Sequence, residues 1–141
     1  MSDLSLKVER VIKAAQKDIF DAWLDPAMLQ KFMMPGTNMS VPSASNDAKE
    51  GGRFEVVMHA DGKDMPHRGT YLEITPHERI VFTWESPFSR DDSEVTVQLD
   101  PTDDGTLVTL SHIRFLDEQR RDNHEGGWTR ILGVLEETLA A

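Results

Sequence analysis

The sequence predicts an α+β domain: an antiparallel sheet of about six to seven strands, two short helices after the first strand, and one long C-terminal helix packed on a sheet face. Three observations carry this expectation. Between Phe54 and Ile113, short runs of alternating or β-branched apolar residues are separated by Gly, Asp and Pro turn signals. Beyond Leu116 the apolar spacing changes to that of a helix. Near the N-terminus, one alternating run gives way to two short stretches of helical spacing.

Leu4, Leu6, Val8 and Ile12 fall on one face of an extended segment, with Lys7 and Glu9 on the other and Arg10 as the exception on the apolar face. Ile19, Phe20, Trp23 and Leu24 then take helical spacing and stop at Asp25-Pro26. Asp25 is placed to cap the next helix, and Pro26 sits at its first position, where a missing N–H costs nothing. Met28, Leu29 and Phe32 form that helix's apolar side, and Pro35-Gly36 ends it. From Thr37 to Gly52 the pattern is weak and polar, read either as a short strand or as a mobile lid. Met28, Met33, Met34 and Met39 border it, and flexible thioethers suit adaptable binding surfaces, although Met28 fits core filling better.

Phe54–Met58 reads as a strand, and Ala60-Asp61-Gly62-Lys63 as a hairpin turn whose glycine takes positive φ. Thr70–Ile74 returns, and Pro76-His77-Glu78 turns again. Ile80–Trp84 is the most apolar strand. Val95, Val97 and Leu99 alternate with polar partners, Asp103-Asp104-Gly105 makes a turn, and Leu107–Ile113 completes the sheet. Asp117 and Glu118 put negative charge in the first turn of the last helix, where the macrodipole favours it. Trp128, Ile131, Leu132, Leu135 and Leu139 form its stripe, with His124 one turn earlier. Gly126-Gly127 breaks local propensity at about 0.8–1.0 kcal/mol per glycine. The pair reads as close packing against the sheet or a helix that starts nearer Glu125; the functional alternative is a flexible point at a pocket mouth.

Fifteen Lys and Arg against 25 Asp and Glu give a net charge of −10, which argues against nucleic acid and anionic membrane surfaces. The acidic excess reads as solvated surface, as at the pairs Asp91-Asp92 and Asp103-Asp104. No apolar run approaches a membrane span, and the Met1-Ser2-Asp3-Leu4 start does not read as a signal peptide. With no cysteine, disulfides, thiol catalysis and thiolate metal sites are all excluded. The expectation is a single cytoplasmic domain spanning residues 1–141.

An ordered set of motifs adds to this reading. Phe20-Asp-Ala-Trp23-Leu-Asp25-Pro26, Gly51-Gly52-Arg53-Phe54 and the long run from Gly69 to Glu85 come first. Gly105-Thr106-Leu-Val-Thr109-Leu110-Ser-His112 and His124-Glu-Gly-Gly127-Trp128 follow. From about Leu6 to Leu139 the chain resembles the family named after the activator of the ninety-kilodalton heat-shock-protein ATPase, within the START-like, birch-pollen-allergen-like superfamily. The resemblance implies a helix-grip fold: a curved antiparallel sheet around the long C-terminal helix, with a cavity between them. It implies binding of a hydrophobic small molecule, with cyclases and hydrolases among the relatives. The namesake stimulates a chaperone with an additional N-terminal domain, for which 141 residues leave no room.

By alternation, Phe54 shares a face with Val56, Phe82 with Trp84, and Leu110 with His112; Trp128, Ile131 and Leu135 face them from the helix. With His124 these form the expected ligand-binding set. Ile131, Leu132 and Leu135 equally suit a filled core. Trp84, His112, His124 and Trp128 place polar tips in an apolar setting, where each needs a partner. In the alternative reading as an enzyme, His112 or His124 is the acid/base, with Glu125 or Asp122 as the nearest carboxylate. His59 and His67 flank the hairpin as two ligands on an exposed ribbon, without metal-site spacing, so no metal or other cofactor is expected. His77 reads as a solvated turn residue. The partner is expected to be a hydrophobic small molecule, with a homodimer and a chaperone contact as further readings.

Overall fold

The computed structural model describes residues 4–36, 38–86 and 92–140. Strand β1 (Ser5–Ile12) leads into helices α1 (Gln16–Trp23) and α2 (Pro26–Phe32). Strands β2 (Ser40–Asn46), β3 (Arg53–Ala60), β4 (Lys63–Thr75), β5 (Arg79–Thr83), β6 (Glu94–Thr102) and β7 (Gly105–Ile113) follow. Helix α3 (Glu118–Ala140) comes last. The strands form one seven-stranded antiparallel sheet in the order β1-β7-β6-β5-β4-β3-β2. This is the curved helix-grip architecture, with α3 held against β1 and α2.

Local chemistry explains the elements. The Asp25 carboxylate accepts a hydrogen bond from the Ala27 N–H at 2.9 Å, capping α2 behind Pro26. In the β3–β4 turn, Asp61 and Gly62 take φ of 54° and 75°, the paired left-handed conformation of a two-residue hairpin. Arg10, the charged exception on β1, reaches α3 instead: its Nε and Nη2 donate to Glu136 Oε1 at 3.0 and 2.8 Å. The pair is largely exposed, so it fixes direction more than it adds stability.

The segment before Gly52 holds a strand. Residues from Ser43 to Asn46 pair with Val57 to Phe54, and a bulge precedes them. Thr37 and Asp91 lie outside the described residues, while Asp103 and Asp104 are exposed at the β6–β7 turn.

One boundary differs from the sequence reading. β4 begins at Lys63 rather than Thr70 and runs through Pro66. Among the described residues its first residues pair only with β3, because pairing with β5 begins at Tyr71, beyond an isolated bridge from Arg68 to Glu85. A proline is tolerated where a strand has a free edge. Helix α3 starts at Glu118, so Gly126 and Gly127 lie in its interior, not at its start.

The core lies between the concave sheet face and the helices. Ile12, Ile19, Phe32, Leu99, Leu110, Leu132 and Leu135 are among its fully buried members. Leu139, at the end of the helical stripe, is only half-buried.

Candidate ligand-binding site

Along β3 and β4 the inward residues stack in cross-strand pairs: Phe54 opposite Gly69, Val56 opposite His67, and Met58 opposite Met65. Gly69 is required there. A Cβ at that position would sit 2.6 Å from the Phe54 ring and 2.0 Å from the Thr83 carbonyl oxygen. The Phe54 ring therefore spreads over Gly69 and meets Phe82, centroid to centroid at 5.3 Å.

The interior divides along this ladder. Trp23, Leu29, Met33, Phe54, Val56, Tyr71, Ile80 and Phe82 enclose a gap of about 10 Å³, room for no more than one water. Toward the hairpin, a cavity of about 420 Å³ opens between β3, β4 and α3. Met58, Met65, His67 and Trp84 form its sheet wall; Arg120, His124, Gly127, Trp128 and Ile131 form its helix wall. Pro35 and Met39 close the third side, with Gln119 and Asn123 also bordering it.

Backbone bonds hold the Trp84 wall in place. Its N–H donates to the Ser93 carbonyl at 3.0 Å, and the Ser93 hydroxyl donates back to the Trp84 carbonyl at 2.6 Å. The Trp84 ring lies 5.0 Å from both the Trp128 and His67 rings. Its indole N–H is buried and has no hydrogen-bond partner among the described residues. Gly127 borders the cavity, and a Cβ there would touch Pro35 at 3.0 Å, so the close packing is against the segment after α2 and not against the sheet. Gly126 faces open space.

Three histidines lie at this end. His67 Nδ1–H donates to the Met65 carbonyl at 2.9 Å, and His124 Nδ1–H donates to the Arg120 carbonyl at 2.7 Å. His112 is fully buried behind Trp128, whose indole N–H donates to His112 Nδ1 at 3.0 Å. The imidazole proton of His112 is therefore on Nε2, which has no partner among the described residues. Burial pushes His67 down to about 4 and His112 down to about 3, and the neighbouring His124 pushes both the same way. Burial also lowers His124, against its bond to the Arg120 carbonyl. All three rings are neutral at pH 7, so Arg120 carries the one permanent charge among the described lining residues.

Of the residues expected at the site, Trp84, His124, Trp128 and Ile131 line the large cavity. Phe54, Val56 and Phe82 line the small closed gap instead. Leu110, His112 and Leu135 border neither gap and are completely buried. Met58, Met65, His67 and Arg120 lie outside the expected set, while Met39, read from the sequence as a thioether suited to an adaptable binding surface, does border the cavity. His67 corrects the reading of an exposed two-histidine ribbon: it is 6% exposed and opposite Val56, while His59 is on the surface, 2.7 Å from Asp64. The signals were available. His67 is in phase with Gly69 and Tyr71 on one strand face, and Arg120 precedes His124 and Trp128 by whole helical turns.

This lining suits an apolar guest, since the neutral imidazoles, indoles and thioethers present little charge to desolvate. It is less suited to proton transfer. A ring titrating near 3, with its Nδ1 lone pair engaged, is a weak base at neutral pH. Asp122 and Glu125 are exposed and do not line the cavity. Among the described residues no three His, Asp or Glu side chains converge as a metal site would need, and no helix is long and apolar enough to cross a membrane.

Comparison with known proteins agrees with this architecture. A protein of Nitrosomonas europaea matches with a TM-score of 0.83 at 25% identity, over 97% of this chain and 94% of its own. One from Chromobacterium violaceum matches at 0.84 and 26%, over 95% of each chain. An AHSA1-like protein from Aeromonas hydrophila shares the fold, at 0.83 and 23%, over 95% of this chain and 90% of its own. No functionally curated protein matches. Fold and family together support a general small-molecule-binding role. The profile of the "Activator of Hsp90 ATPase homolog 1-like protein" family matches residues 13–140, and the chain belongs to that family.

Proposed function

We propose that the protein binds a small apolar molecule in the cavity between β3, β4 and α3, and carries or sequesters it. The observation behind this reading is the cavity itself. Its volume of about 420 Å³ falls in the usual range for small-molecule sites, roughly 300–1,000 Å³. Met39, Met58, Met65, Trp84, Trp128 and Ile131 supply its apolar wall, and its polar positions are the neutral imidazoles of His67 and His124 together with Gln119, Arg120 and Asn123. Trp84, His124, Trp128 and Ile131 are the contacts expected from sequence; Met39, Met58, Met65 and His67 join them.

An interaction with another protein has less on the surface to support it. Among the described residues the large exposed apolar side chains are Val11, Leu72 and Leu116. Val11 on β1 and Leu72 on β4 are separated by three strands, so they do not make one patch.

The uncharged dye N-phenyl-1-naphthylamine tests the proposal. It should bind saturably to the native protein, shift its emission to the blue, and quench tryptophan fluorescence, because the touching Trp84 and Trp128 rings both line the cavity. Absence of saturable binding, or binding that leaves tryptophan emission unchanged, overturns it.

A further inference from the structure

Resting on that pocket reading, we infer that the occupant is an anionic amphiphile, an apolar body carrying one carboxylate-type head, and that Arg120 anchors the head. Among the described residues the lining contains no Asp or Glu, although the chain as a whole carries 25 of them and a net charge of −10. The single formal charge bordering the cavity among the described residues is the Arg120 guanidinium. A lining chosen at random from so acidic a protein would be negative; this one is positive.

Arg120 has capacity to spare. Its Nη1 bonds to Asp117, while Nε–H has no hydrogen-bond partner among the described residues. The side chain keeps 43% of its exposure, so a charged head bound there stays in contact with water while its tail lies inside. Guanidinium has five donors in a planar fork and can serve two carboxylates at once, so a ligand head need not displace Asp117. The amides of Gln119 and Asn123 lie beside it as neutral donors.

A cationic head would meet Arg120 with no compensating carboxylate in the lining. A neutral alcohol would gain the tail's burial but no charge-assisted bond. Burial of the tail is common to all three head types, so head chemistry alone sets their order.

Displacement of bound N-phenyl-1-naphthylamine by dodecanoate, dodecanol and dodecyltrimethylammonium, below their micellar concentrations at pH 7.5, tests the inference. Dodecanoate should displace the dye at about tenfold lower concentration than dodecanol, the size of one charge-assisted hydrogen bond, with the ammonium weakest. Arg120→Gln should bring dodecanoate to within about threefold of dodecanol, and an unchanged denaturation midpoint and circular dichroism spectrum show that the variant is folded. Dodecanol equal to or better than dodecanoate overturns the anionic head and leaves the pocket reading standing. A preference for dodecanoate that survives Arg120→Gln overturns the role of Arg120. Failure of all three to displace a dye that does bind overturns the amphiphile. Failure of the dye itself to bind is failure of the pocket.

Discussion

The two ends of the space between sheet and helix draw on similar residues and finish differently. At the closed end, α1 and α2 supply Trp23, Leu29 and Met33 as a third layer, and these fill the concavity under Phe54 and Phe82 down to about 10 Å³. At the open end the same sheet continues through Met58, Met65 and His67, but only Pro35 and Met39 cover it from that side. About 420 Å³ is left. A curved sheet needs a filler along its whole length, and where α1 and α2 do not reach, a cavity is left under α3.

The largest expected effect separates the two ends by stability and binding together. Phe82 is 3% exposed at the closed end, so Phe82→Ala should cost about 3–5 kcal/mol in chemical denaturation. Met39 is half-buried at the cavity mouth, and Met39→Ala should cost under about 1 kcal/mol while changing dye affinity severalfold. Reversal of that order would mean that the cavity end is the packed one.

Acid comes next. An unfolded imidazole titrates near 6.5, whereas folding holds His67 near 4 and His112 near 3. Above pH 6.5 neither state takes up the proton and nothing is lost. Below it, the unfolded chain binds protons that the folded protein refuses, so stability falls as pH falls. Between pH 7 and pH 5 the loss should be about 2 kcal/mol for each of these two rings, and His67→Gln should remove its own share. A total loss under about 1 kcal/mol would show that the rings are hydrated. The same titration sharpens the contrast between sites. NMR of the ring protons should show bound dye moving the His67 midpoint, because His67 borders the cavity, and leaving His112 behind Trp128 where it was.

Much of the fold was legible because alternation and helical spacing report which face of an element is inward. That information placed β1, the β3–β4 hairpin, the Asp25 cap and the α3 stripe. It also named Trp84, His124, Trp128 and Ile131 correctly as inward residues. Periodicity does not report depth along the sheet. Phe54, Val56 and Phe82 have the same inward phase as Met58, yet only Met58 reaches the large cavity, because the filling comes from α1 and α2 at a distance in sequence. His67 was misplaced because Pro66 argues against a strand interior, and the free edge that tolerates it depends on where β5 stops.

The methionines report on both ends within one spectrum. With methyl-labelled methionine, saturating dodecanol or the neutral dye should shift the methyl resonances of Met39, Met58 and Met65, which line the open cavity. Met33, which lines the closed gap, should stay in place. Shifts confined to Met33, or equal shifts at all four, would contradict a site built at the unfilled end of the sheet.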